Sequence, residues 1–211
     1  ASDADQMNIS VWQRLHSIVS TSTFWFSSAS ATGSGRNFHA HIPWGNENIY
    51  FDTAGCCGVG DTRIHKAWGG DYSQWHHFAF IKDGDHKTIW IDGELFHEGE
   101  NTRALFDDWT VAGIGGNNSG GSNVAGVIDD FAVFASALSE ADIVALAGGT
   151  NPDELESSGP RGGAIWRDLP TAVGQDYRLS FVTHAAGDDA EYVLGGVVTN
   201  RAEGTVTLIN S

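Results

Sequence analysis

The feature that most constrains this chain is a succession of short apolar runs separated by glycine, asparagine and aspartate turns. Each run has the length of a strand, and several alternate apolar and polar residues with a period of two, which predicts β-strands. The predicted strands are residues 7–12, 23–27, 37–42, 48–52, 76–82, 88–92, 109–114 and 127–134. Strands that recur at short spacing with turns between them indicate a β-sandwich.

One segment has the pattern of a helix instead. Ser139 is placed to cap its N-terminus, and Asp142 follows three residues later as the partner of a capping box. Gly148 and Gly149 then end the helix. The sequence therefore predicts one short helix that closes an end of the sandwich.

Charge and composition exclude several functional classes. The chain has 27 Asp and Glu against 11 Lys and Arg, a formal net charge of −16, whereas nucleic acid binding needs a basic face. Two cysteines cannot build a disulfide scaffold. The sequence also has no apolar run near the roughly 18 residues of a membrane span. Excess acid with few lysines keeps a protein soluble in salty media, and we expect a secreted or cell-surface protein.

The chain changes character after the predicted helix. We expect residues 1–149 to form the sandwich domain and residues 150–163, rich in Ser, Gly and Pro, to form a linker or long loop. Residues 164–211 contain further strand-like runs, which either complete the sandwich or open another module. The chain starts without a basic or apolar leader, so either a signal has been removed or this is a piece of a longer protein.

Two blocks of the sequence resemble a known superfamily. Residues 74–94 begin Gln-Trp-His-His-Phe, turn at Asp83-Gly84, and end in Trp-Ile-Asp-Gly-Glu, while residues 126–146 run from Gly-Val-Ile-Asp-Asp-Phe into the predicted helix. In this order and spacing they resemble the laminin-G/concanavalin A-like lectin-glucanase superfamily, over residues 7–149. The resemblance implies an all-β fold, a two-sheet antiparallel jelly-roll sandwich with one short helix.

The same resemblance implies a metal ion at the rim of a sheet. It points to Asp129 and Asp130 as the metal-binding residues, and their hard oxygen ligands suit calcium. The alternative is that the two aspartates act as caps or as hydrogen-bond acceptors in a turn.

A set of polar and aromatic residues is predicted to share one outer sheet face. The period of two sends the apolar residues of segments 38–42, 49–52 and 63–65 to one side and the polar ones to the other. Planar hydrogen-bonding groups beside aromatic rings suit sugars, which have polar edges and an apolar C–H face. The candidate glycan-binding residues are His39, His41, Trp44, Tyr50, Asp52, Arg63, His65 and Trp68. A solvated face without a ligand and a protein-binding surface are the alternatives.

The histidines also allow a transition-metal site. His39 and His41 share a face, and a third ligand could come from Asp52 or His65. The adjacent pair at positions 76 and 77 does not add to it, because neighbouring residues on a strand point to opposite faces.

Cys56 and Cys57 are neighbours in the chain. Consecutive Cα atoms lie about 3.8 Å apart, whereas disulfides prefer about 4.4–6.8 Å. The flanking Gly55 and Gly58 allow the backbone that a strained vicinal disulfide needs, and thiols outside the cell are oxidised. We expect this disulfide, with a free dithiol as the alternative.

The sequence offers no catalytic centre. Retaining glycosidases need two carboxylates about 5–5.5 Å apart, and the Glu-x-Asp-x-x-Glu run typical of this fold is missing from the sequence. Glu94, Glu98 and Glu100 are predicted to lie in a glycine-broken loop. We therefore expect a non-catalytic, calcium-assisted module that binds a glycan or cell-surface polysaccharide. The alternative is a structural or adhesive module that pairs with proteins, or with itself, through an exposed sheet edge.

Overall fold

The computed structural model describes residues 5–28, 37–55, 62–105, 109–117, 120–155 and 163–165. Its strands, in chain order, are β1 (Gln6–Leu15), β2 (Phe24–Ser28), β3 (Asn37–His41), β4 (Asn48–Thr53), β5 (Arg63–Ala67), β6 (His76–Asp83), β7 (His86–Ile91), β8 (Glu94–Glu100), β9 (Trp109–Ile114), β10 (Gly126–Phe134) and β11 (Gly163–Ile165). The helix α1 spans Glu140–Ala147, and a 3-10 turn follows at Pro152–Glu154.

The strands form two antiparallel sheets that face each other. One sheet has the order β11-β10-β1-β6-β7-β8 and the other the order β5-β4-β3-β2-β9. Strand β1 lies between β10 and β6, so distant parts of the chain meet at the centre of the first sheet. This architecture confirms the expected all-β jelly-roll sandwich with one short helix.

Aromatic side chains from both sheets form the core between them. Phe24 of β2 and Phe51 of β4 each contact Phe80 of β6 in an edge-to-face arrangement, with ring centroids 5.5 and 5.3 Å apart. All three side chains are fully buried, and each such burial contributes about 1.5–3 kcal/mol. Because a slip of one residue would expose these rings, the core fixes which residues of β2, β3 and β4 face outward.

The helix α1 covers the outer face of the six-stranded sheet. Its capping box is present as predicted: the Ser139 hydroxyl accepts from the Asp142 backbone N–H, and the Asp142 carboxylate accepts from the Ser139 backbone N–H. Ile143 packs on Ala79 and Ile81 of β6, which alternate with the core residues of that strand. The candidate site lies on the other sheet, away from this helix.

One predicted loop is a strand. Residues Glu94–Glu100 form β8, which pairs with β7 through a register shift between Ile89 and Trp90. The glycine that suggested a break serves close packing instead: a Cβ on Gly99 would lie 2.7 Å from Cγ2 of Ile64 on β5. The prediction of a glycine-broken loop was wrong because a glycine at a tight contact looks the same in sequence as one in a turn.

The segment that follows α1 packs against the sandwich where it is described. Leu155 is buried in a cluster with Ala132, Phe134 and Leu146, and β11 pairs with β10 at Ala132–Phe134. Residues 166–211 lie outside the described residues, so their assignment to this sandwich or to a further module stays a prediction.

Candidate functional site

The outer face of the five-stranded sheet carries a row of polar and aromatic side chains. Cross-strand pairing places Trp25 opposite His39, and His39 opposite Asp52. Arg63 then lies opposite Asp52 on the next strand. Residues paired in this way point to the same side of a sheet, so four strands contribute to one surface.

A pocket of about 280 Å³ opens on this surface. Its walls come from strands β2 to β5 and from loop residues that precede β2, follow β3 and lie between β9 and β10. The lining residues are Ser22, Trp25, His39, His41, Trp44, Tyr50, Arg63, Asn117 and Ser122. This volume is close to the lower end of the range for ligand pockets, which is about 300–1,000 Å³, and leaves room for a small ring-shaped ligand.

Stacked rings shape the pocket walls. The Trp25 indole lies on the His39 imidazole, with centroids 3.9 Å apart and the planes 17° from parallel. Trp44 meets His41 edge to face at 4.6 Å. The Tyr50 ring contacts the Arg63 guanidinium, whose Cζ is 4.4 Å from its ring centroid, and lies edge to face with His41 at 6.0 Å. Because each ring packs on another, the walls have little freedom to rearrange.

A buried ion pair lies beside the pocket. The Arg63 Nε and Nη2 atoms donate to the two oxygens of Asp52 at 2.6 and 2.7 Å. Burial alone would raise the pKa of Asp52, but its contacts with His39 and Arg63 hold that pKa below its usual range. Asp52 is therefore a carboxylate at neutral pH, and its charge balances that of Arg63.

Both pocket histidines are neutral at pH 7. Burial lowers the pKa of His39, and burial followed by the neighbouring His39 lowers the pKa of His41 to about 4. The Nδ1 atom of His41 lies 2.5 Å from the carbonyl oxygen of Thr21. Since a carbonyl only accepts, Nδ1 carries the proton and Nε2 keeps its lone pair.

Three of the candidate residues, Asp52, His65 and Trp68, lie outside the pocket lining. His65 stacks on Tyr50, with ring centroids 5.1 Å apart, and so supports the wall from behind. Trp68 follows the end of β5 and packs edge to face against Tyr72 and His76, with centroids 4.7 and 4.8 Å away.

Sequence reasoning missed several residues that line the pocket. Trp25 carried a usable signal, because it alternates with Phe24 and Phe26, which belong to the core. Ser22, Asn117 and Ser122 come from loops, where no period indicates which way a side chain points.

The predicted calcium residues lie within a strand bulge. Asp129 pairs with Trp12 where the register shifts, and Asp130 has a positive φ of 44°. The Oδ1 atom of Asp129 accepts from the Asp130 backbone N–H at 2.9 Å, as in the hydrogen-bond alternative. In the described part of the chain neither aspartate joins a group of three metal-binding side chains. Calcium at Asp129 and Asp130 therefore stays a prediction.

Two further expectations concern parts of the chain beyond this site. Cys56 and Cys57 lie outside the described residues, so the vicinal disulfide stays a prediction. Among the residues that are described, none forms a helix long and apolar enough to cross a membrane.

Fold and pocket together define a lectin-like β-sandwich, with antiparallel sheets and an aromatic pocket on an outer face. A family described as the concanavalin A-like lectin/glucanases superfamily matches residues 2–144. This match covers more than half of the chain, and the chain belongs to that family. No curated protein matches the sequence.

Several solved structures share the fold at low sequence identity. The CBM40 module of the Ruminococcus gnavus IT-sialidase, bound to α2,3 sialyllactose, has a TM-score of 0.54 and 15% identity, over 69% of this chain and 84% of that one. A leech intramolecular trans-sialidase has a TM-score of 0.55 and 19% identity, over 69% of this chain and 23% of the enzyme. A putative carbohydrate binding protein from Bacteroides ovatus has a TM-score of 0.51 and 13% identity, over 67% of this chain and 40% of that protein.

Proposed function

We propose that this chain is a non-catalytic carbohydrate-binding module of a secreted or cell-surface protein. The observation that carries the proposal is the pocket walled by Trp25, Trp44 and Tyr50. An aromatic ring can stack on the apolar C–H face of a pyranose, while serine, asparagine and imidazole groups bind its hydroxyls. All of these side chain types line the same pocket.

The comparisons support a glycan as the ligand. The R. gnavus module has this fold and holds α2,3 sialyllactose, so a sandwich of this kind can bind a sugar. We extend only the ligand class to this chain, since the identity of 15% carries no correspondence between residues.

The lining supports binding without catalysis. Glycoside cleavage needs a pair of carboxylates, and among the described residues that line the pocket there is no aspartate or glutamate. Asp52, behind the lining, is fully buried and accepts hydrogen bonds from Nε and Nη2 of Arg63. No step of the proposed function depends on calcium.

One pair of sheet edges gives little support to the adhesive alternative, in which an exposed edge strand would pair with another chain. The edge strands β5 and β8 contact each other across the two sheets, and the Lys66 ammonium donates to the Phe96 carbonyl at 3.2 Å. An edge strand covered in this way has less backbone to offer another chain.

Replacing one pocket tryptophan tests the proposal. Glycan arrays would first identify a ligand, and calorimetry would then compare the wild type with Trp44→Ala. We expect at least a tenfold loss of affinity, about 1.4 kcal/mol, because the variant loses a stacking surface. Trp75→Ala is the matched control, since Trp75 is exposed and lies outside the lining. Equal affinity in both variants, or no binding to any glycan, would contradict the proposal.

A further inference from the structure

Three metal-binding side chains meet beside the pocket. His39, His41 and Asp52 each offer one ligand atom, and these atoms all lie within 4.8 Å of one another. Within the described ranges this is the one group of three or more such residues. Its two imidazoles also line the pocket, so the group borders open space on one side.

The buried ring of His39 lacks well-directed partners. Its side chain is 0% exposed, and neither ring nitrogen makes a hydrogen bond of good geometry with any residue that the structure describes. The Nε2 atom approaches Asp52 Oδ2 at 3.0 Å, but the contact is poorly aligned. Trp25 covers one face of the ring, and the His41 ring lies edge to face with it at 4.9 Å. Buried polar atoms are nearly always satisfied, so a ring whose one near polar neighbour is the poorly aligned Asp52 carboxylate has capacity for a further partner.

His41 is held in the tautomer that a metal ligand requires. Its Nδ1–H donates to the Thr21 carbonyl, which leaves the Nε2 lone pair available. Metal-binding histidines typically donate their second ring N–H to a carbonyl or carboxylate, which fixes the tautomer and the orientation of the ring.

We propose that His39, His41 and Asp52 bind a divalent transition metal of the zinc class at the base of the pocket. Two imidazoles and one carboxylate are a ligand set of catalytic or open zinc sites, in which a fourth position stays free for water or a ligand. The structure also selects the third ligand, because His65 stacks on Tyr50 and lies outside this group. The site does not depend on the proposed sugar function.

Arg63 competes with the metal ion for the carboxylate of Asp52. Its guanidinium occupies one position on each Asp52 oxygen, and a carboxylate offers about four acceptor positions in all. A metal ion would take the position now directed at His39, while the positive charge of Arg63 opposes its binding. Removal of that charge should therefore strengthen metal binding.

Metal titration of the EDTA-treated protein tests the site. Cobalt(II) serves as the spectroscopic probe and zinc(II) as the calorimetric one. We expect saturable binding of one ion per chain, with visible cobalt bands that zinc abolishes. His41→Gln should weaken binding at least tenfold, whereas His65→Gln, the same change outside the group, should leave it unchanged. Equal affinity in all three proteins would assign the metal to surface histidines and overturn the proposal.

Arg63→Gln gives a second test, in which metal binding is expected to become tighter instead of being lost. The variant leaves the buried Asp52 without its cation, so we expect a lower Tm in the metal-free protein. Zinc should raise that Tm by more than it raises the Tm of the wild type, and should bind the variant more tightly. A variant that zinc neither binds more tightly nor stabilises would overturn the proposal. Since the titrations contain no glycan, their failure would leave the carbohydrate function untouched.

Discussion

Asp52 links the pocket to the interior at the scale of single residues. It is fully buried, yet it binds Arg63 on one side and approaches His39 on the other. The positive charge of Arg63 is therefore compensated by Asp52 and is not available to a charged ligand. The imidazoles and aromatic rings around this pair present a neutral surface to the pocket.

A buried imidazole on the other sheet, that of His77, makes stability depend on pH. Burial lowers the pKa of His77 to about 4, and the smaller effect of the Asp92 charge only partly offsets it. Its Nε2 lies 2.8 Å from the Ser10 hydroxyl. In the unfolded chain the pKa is about 6.5, so between these values the unfolded state binds more protons. The contribution of His77 to stability is therefore fully present near pH 7 and is lost as the pH drops through 6.5 towards 4, by about 2 kcal/mol at pH 5.

Urea denaturation at pH 7 and pH 5 measures this loss. His77→Gln keeps a polar group near Ser10 but does not titrate, so the drop in unfolding free energy should shrink by about 2 kcal/mol. His16→Gln, at an exposed position, should behave as the wild type does. The same drop in His77→Gln as in the wild type would show that this imidazole is not the source.

The elements differ in how well the sequence predicted them. Strands with a strict period of two and the capping box at Ser139 were found from local pattern alone. The strand Glu94–Glu100 was missed because its identity depends on β7 and on the approach of Ile64 to Gly99. Such contacts join residues far apart in sequence, and no local pattern encodes them.

The junction of β1 and β10 depends on another glycine. A Cβ on Gly126 would lie 2.1 Å from the Arg14 carbonyl oxygen, and this backbone atom cannot move without breaking the ladder. We expect Gly126→Ala to lower the unfolding free energy by about 1–3 kcal/mol. Gly69→Ala is the control, because a Cβ there meets nothing within 4 Å. Thermal denaturation that gives both variants the same Tm would contradict this packing.

The molecule as a whole uses its two sheets differently. The six-stranded sheet is covered by α1, whereas the five-stranded sheet carries the pocket. Periodicity was enough to place His39, His41, Tyr50, Asp52 and Arg63 on one face. Sequence could not predict the closure of the pocket by Asn117 and Ser122, because loops have no period and meet only in the folded chain.

The net charge of −16 should select against acidic glycans. The Arg63 charge is already compensated by Asp52, so a sialic acid carboxylate would meet a neutral pocket in a negative field. We expect a sialylated glycan to bind more weakly than its neutral counterpart. Because salt screens charges beyond a Debye length of about 10 Å at 0.1 M, the difference should narrow as ionic strength rises. Calorimetry with lactose and α2,3 sialyllactose at low and high salt measures both effects, and the affinity for the neutral sugar should stay constant. Tighter binding of the sialylated sugar, weakened by salt, would show instead that Arg63 leaves Asp52 to bind the acid.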